Sequence, residues 1–260
     1  MRTRTVVAAL SGAVALSALV VPAAQAADKV QGDTKITSVT VNGGKDIVLG
    51  TTAKKKITIT VTGTDPKGIK EGMAVLWHGK KFEPEHLDGV MAPPRESKCT
   101  KVNATTGTCK IVIDANPREI WNGTAGKWKV MAGLLANGRA EDHIIVNAYK
   151  TVSVKRAARL TVNASPEPVR KGKAITVAGA LTRANWDTHK YAGYTRQPVK
   201  LEFKKKGASA WSTVKTVTSD GKGNLRTTVK ASADGTFRYV FAGTSTTPAV
   251  TSAGDAIDVR

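Results

Sequence analysis

Hydrophobic and polar residues alternate through much of the chain. In residues 57–62, Ile57, Ile59 and Val61 fall on one face and Thr58, Thr60 and Thr62 on the other, the period of a half-buried β-strand. Similar runs lie at 36–41, 73–77, 109–113, 128–135 and 144–154, separated by turn formers such as NGG at 42–44 and DPKG at 65–68. Six or seven strands with such turns predict a β-sandwich in the first half. The second half repeats the scheme at 160–164, 174–181, 199–203, 211–217, 225–231, 237–241 and 256–259. There Leu225, Thr227 and Val229 face one way and Arg226, Thr228 and Lys230 the other, while Phe237, Tyr239 and Phe241 alternate with Arg238 and Val240. No long amphipathic helix is predicted, and residues 117–121 suffice for a single helical turn. Trp77 and Trp128 sit among apolar neighbours and are expected in the core.

The N-terminal end departs from this pattern. Arg2 and Arg4 precede a run of Val, Ala, Leu, Ser and Gly over residues 6–21, followed by Pro22 and the small residues Ala24 and Ala26. This reads as a secretory signal over residues 1–26, cleaved after Ala26. The run is short of the roughly 20 apolar residues of a spanning helix, so no membrane span is expected after cleavage. Apolar alternation lapses again at 153–159, where charge concentrates. The predicted organisation is a sandwich over 27–152, a basic linker over 153–159 and a second sandwich over 160–260.

Cys99 and Cys109 are the two cysteines of the chain. In an exported protein an even count reads as one disulfide. A loop this short gains about 2–3 kcal/mol from closure, and the bridge is expected to staple neighbouring segments rather than join two sheets.

At this point the residues carry a resemblance. The stretches RLTVNASP at 159–166, KGKAITV at 171–177 and DGTFRYVFAG at 234–243 resemble the immunoglobulin-like modules of secreted actinobacterial proteins. VNGGKDIVLG at 41–50 and LWHG at 76–79 resemble their N-terminal partner domain. The resemblance covers nearly the whole mature chain and implies an all-β architecture of two tandem immunoglobulin-like β-sandwich domains. It assigns no functional residues, although some such proteins carry a calcium-binding label.

Chemistry is sparse. His78, His86, His143 and His189 form no metalloprotease motif, and no nucleophile elbow, phosphate loop or dinucleotide glycine pattern is present. The expectation is a non-enzymatic protein, with a wall-polymer hydrolase using an unrecognised site as the alternative from another class. No cofactor is expected. Glu83, Glu85 and Asp88, three carboxylates in one loop, are the metal candidates and make weak calcium binding the second reading; Lys80 and Lys81 beside them oppose it. The segment DGKGN at 220–224 fits a tight hairpin turn better than a calcium loop. Trp186, Tyr191 and Tyr194 cluster on a loop and form a candidate aromatic platform for a ligand.

Composition sharpens one feature. With 41% hydrophobic and 23% charged residues the chain is globular, but 40 Lys plus Arg against 20 Asp plus Glu give a formal charge of +20. Loss of Arg2 and Arg4 with the leader reduces this to +18. Residues 153–260 hold 19 basic and 7 acidic residues, against 19 and 13 in residues 27–152. Strand parity turns Lys200, Lys204 and Arg238 outward on two strands that an immunoglobulin topology makes neighbours. With Lys205 and Lys206 they are predicted to form one basic face for extracellular anionic polymer or a cell-wall surface. The protein is expected to be a secreted monomer.

Overall fold

The computed structural model describes residues 28–138 and 142–260, so the leader and its cleavage site lie outside the described residues. The first half contains β1 (Lys29–Gln31), β2 (Lys35–Val41), β3 (Ile47–Leu49), β4 (Lys55–Thr64), β5 (Ile69–Gly79), β6 (Leu87–Met91), β7 (Ser97–Lys101), β8 (Thr106–Ala115), β9 (Gly126–Ala136) and β10 (His143–Arg156). The second contains β11 (Ala158–Leu160), β12 (Asn163–Ser165), β13 (Ala174–Asn185), β14 (Lys190–Gly193), β15 (Pro198–Lys205), β16 (Ser212–Thr218), β17 (Asn224–Lys230), β18 (Gly235–Phe241), β19 (Val250–Thr251) and β20 (Asp255–Ile257). The only helical pieces among the described residues are single 3-10 turns, one of them at Pro117–Glu119, inside the segment read as one helical turn.

In the first half the strands form one continuous sheet, joined where β5 pairs briefly with β7, that divides into a layer β2-β4-β8-β7 and a layer β1-β10-β9-β5, with β6 on β5 and β3 parallel to β10. Taking β2, β4, β5, β7, β8, β9 and β10 as strands A to G, the layers are A-B-E-D and G-F-C, the order of a constant-type immunoglobulin domain. The second half has β12-β13-β17 facing β16-β15-β18-β19, the same order with its fourth strand moved to the opposite layer. The fold is therefore all-β and immunoglobulin-like in both halves.

The alternation read from sequence matches burial. Ile57, Ile59 and Val61 are fully buried in a first core with Ile111, Ile113 and Trp128. Phe237, Tyr239 and Phe241 anchor a second with Val177, Leu201 and Leu225. Between its layers the Tyr239 hydroxyl donates to the Val177 carbonyl at 3.0 Å, and burial pushes its pKa up to about 12. Trp77 is also buried, but on the outer side of β5. Its ring lies 5.4 Å from Phe82 and 4.2 Å from the Lys129 ammonium, and Nε1 donates to the Asn147 carbonyl. Cys99 pairs directly with Cys109 across β7 and β8, so the disulfide links neighbouring strands of one layer.

Three features differ from the expectations. Residues 153–159 are not a linker: β10 runs through Arg156, and Ala157 alone separates it from β11. Val154 is fully buried, so the inward alternation continues to Arg156. The turn at Asp220 is not a hairpin, because β17 pairs with β13 and not with β16, so the turn carries the chain from one layer to the other. Short strands without internal alternation, including β1, β3 and β14, escape a pattern-based reading. Along the open flank of the second half Lys215 reaches from β16 to donate to the Thr227 hydroxyl on β17 at 3.0 Å.

Candidate polyanion-binding face

The outer surface of the β15, β16 and β18 layer carries the best-formed charged cluster predicted from sequence. Val199 and Leu201 are fully buried, which turns Lys200, Glu202 and Lys204 outward by alternation. The register pairs Glu202 with Arg238 and Lys204 with Thr236, so Arg238 shares this surface. Its guanidinium binds Glu202 through Nη2 at 2.7 Å and Nε at 2.8 Å. It also lies 3.9 Å from the Trp211 ring centroid, with the Lys204 ammonium 5.1 Å from the same ring. A cation over an indole face is attracted by the ring quadrupole, so Trp211 gathers positive charge around itself.

The face is smaller than predicted. Alternation places Lys205 on the opposite side from Lys204, and Lys206 turns to Asp234, 3.7 Å away. Glu202, outward by the same parity as the lysines, partly offsets Arg238. What remains is Lys204 and Arg238 at Trp211, with Lys200 exposed further along the same strand. The ring escaped the sequence reading because it precedes β16, and only the fold of the β15 to β16 connection lays it over the basic strand.

The aromatic platform does not form. Trp186 is fully buried within the first core, and its Nε1 donates to the Gly50 carbonyl at 2.9 Å. Tyr191 packs against the same core beneath the Arg159 guanidinium, 3.7 Å from its ring. Tyr194 belongs to the second core, edge-on to Phe241 and covered by Arg183 at 3.9 Å. All three rings are consumed by packing because the loop lies where the two halves meet.

The metal candidates divide. Glu83, Glu85 and His86 bring ligand atoms within 4.8 Å of one another, whereas the Asp88 carboxylate turns to His78 Nδ1 at 3.2 Å. The set has thus exchanged an oxygen for an imidazole nitrogen, and calcium favours oxygen donors. His86 also lies 3.6 Å from Glu83. Glu71, Glu96 and His143 line a cavity of about 200 Å³, but its other lining residues include Met73, Leu135 and Ile145. This mainly aliphatic surface is not the deep polar cleft with convergent carboxylates that hydrolysis of a wall polymer calls for.

No known protein family matches the chain, and no curated protein matches it. Among solved structures it is similar to FdeC, an Escherichia coli adhesin, at 16% identity and a TM-score of 0.35, over 90% of this chain and 66% of the adhesin chain. It is similar to the D00-D0 domain of intimin at 14% identity and a TM-score of 0.28, covering 85% and 99% of the two chains. For the teleost fish polymeric immunoglobulin receptor ectodomain the values are 13% and 0.24, covering 82% and 95%. Among the described residues no helix is long and apolar enough to cross a membrane.

Proposed function

We propose that the protein is a secreted, non-enzymatic binding module of two immunoglobulin-like domains, related to those of actinobacteria, that contacts extracellular anionic polymer through the Trp211 face. The observation that carries this reading is the convergence of Lys204 and Arg238 on Trp211, with Lys200 exposed further along the same strand and Glu202 as the ion-pair partner of Arg238 among the described residues. The Cys99 to Cys109 bridge supports an oxidising compartment outside the cytosol. Lysines at exposed strand positions suit diffuse attraction, whereas Arg238 keeps guanidinium donors beyond those spent on Glu202.

Such contact releases counterions and weakens steeply with salt. The mature protein is expected to be retained on immobilised polygalacturonate at low ionic strength and released as salt rises. The Lys200→Glu/Lys204→Glu double variant should elute at markedly lower salt. Lys200 is exposed and Lys204 half-buried on the outer surface, neither in the core, so the variant is expected to melt within a few degrees of wild type. An elution point unchanged by the double variant would show that the contact lies elsewhere on this basic molecule.

A further inference from the structure

A second cationic cluster lies at the joint between the two halves. Arg156, the last residue of β10, is only 7% exposed. Its backbone N–H donates to the Thr246 carbonyl at 2.9 Å and its Nε to the Ala184 carbonyl at 2.6 Å. Burial foremost, and then the like charge of Arg183, hold the Arg156 pKa down at about 10. Burial also lowers the pKa of Arg183. Neither guanidinium forms an ion pair with an acid among the described residues. Asp187 is the counter-charge that acts on Arg156, but its carboxylate already accepts from the Asn122 backbone and side-chain amides.

The surrounding hydroxyls are loosely held. Arg183 Nη1 reaches Thr247 Oγ1 at 3.4 Å, the Tyr194 hydroxyl lies 3.4 Å from Thr244 Oγ1, and Thr244 Oγ1 lies 3.4 Å from Thr246 Oγ1. Hydroxyl pairs normally close to about 2.7–2.8 Å, so these groups retain bonding capacity. Thr247 is fully buried and Tyr194 nearly so. Arg156 is nearly removed from water while Arg183 is half-buried, and a guanidinium offers five donors where Arg156 spends one of its own on a carbonyl.

We propose that Arg156 and Arg183, with the hydroxyls of Thr244, Thr246 and Thr247, form a binding site for one small inorganic anion, a halide or an oxyanion. An anion there relieves the repulsion between the two guanidiniums and accepts the donors they have left. Because Arg156 belongs to the first half and Arg183 to the second, occupancy also strengthens the joint. The site is separate from the Trp211 face and does not depend on the polymer reading.

The test is thermal melting of the mature chain at constant ionic strength, exchanging sodium gluconate for chloride in one arm and for phosphate in the other. Binding to the folded state alone raises the midpoint with a saturable dependence, by about 3 °C or more at high occupancy. A rise with chloride identifies a halide site and a rise with phosphate alone an oxyanion site. In Arg183→Met the rise should vanish. Equal midpoints in all three salts, or the same rise in Arg183→Met, would overturn the proposal. Should that variant not fold, equilibrium dialysis of the wild type with labelled chloride and phosphate decides: one bound anion per chain in either salt supports the site, and none in both refutes it.

Discussion

Asp220 shows how much a single side chain organises here. Its Oδ1 accepts from the backbone N–H groups of Lys222 at 2.7 Å and Asn224 at 2.8 Å, and Oδ2 accepts from Asn224 Nδ2 at 3.0 Å. These bonds, that from Lys222 foremost, hold the carboxyl below its ordinary range. A depressed folded-state pKa means stability that is fully present above the unfolded value of about 3.9 and is lost as pH falls through the folded value. Asp220→Ala is therefore expected to unfold at lower urea than wild type at neutral pH, with the gap narrowing once the pH drops below the carboxylate range. A gap that persists in acid would assign the effect to something other than the charged cap. Gly223, at φ 86°, allows the tight return of the chain. The turn chemistry was legible from the Asp, Gly and Asn residues themselves. Its path between layers was not, because β17 pairs with β13, from Ala180 opposite Asn224 to Ala174 opposite Lys230, far away in sequence.

Among the elements, strands with strict alternation were readable and their partners only partly so. β4, β8, β17 and β18 follow directly from residues such as Ile57, Ile111, Leu225 and Phe237, each of which needs only a buried face. Lys155 and Arg156 look like a surface run, so the pattern ends β10 at Val154 while the strand continues to Arg156. In the structure Lys155 pairs with Asp46 at 2.7 Å while Arg156 points inward. The loop after β13 misled most. A cluster of Trp and Tyr between strands has the composition of a ligand platform, yet burial of Trp186 is set by the other half of the chain, where Gly50 and Asn122 receive it. Trp186→Ala should cost about 3–5 kcal/mol in denaturant unfolding, as for other large-to-small changes in a core. The accompanying loss of hydrogen-exchange protection is expected in β3 and β10, on the far side of the joint. Protection lost only around β13 and β14 would mean that the ring serves its own half alone.

At the scale of the whole molecule, the two cores are fastened by more than chain continuity. Ala157 donates to the Leu49 carbonyl and accepts from Ala184, both at 2.8 Å. Asn122 binds Asn185, Asp187 and the Trp186 backbone. Polar bonds on both sides of a buried indole leave little freedom for one half to turn against the other. Heating is accordingly expected to give one calorimetric transition for residues 28–260, and a fragment ending at Ala157 should melt well below it, having lost Trp186. Two resolved transitions in the intact chain would contradict this coupling. The charge excess, by contrast, was legible as a total and only partly as a pattern: the sign and the strand were right for Lys200 and Lys204, but the pairing of Arg238 with Glu202 and the neighbouring indole belong to three dimensions.

Lys215 on the open flank has a consequence for behaviour in concentrated solution. Among the described residues β16 pairs with β15 alone and β17 with β13 alone, so both present unpaired peptide groups to any passing strand. By reaching across to Thr227, Lys215 sets an ammonium where an incoming chain would have to dock, and desolvating that charge makes fibril-like stacking unfavourable. The residue that closes the flank in one molecule thus keeps many molecules apart.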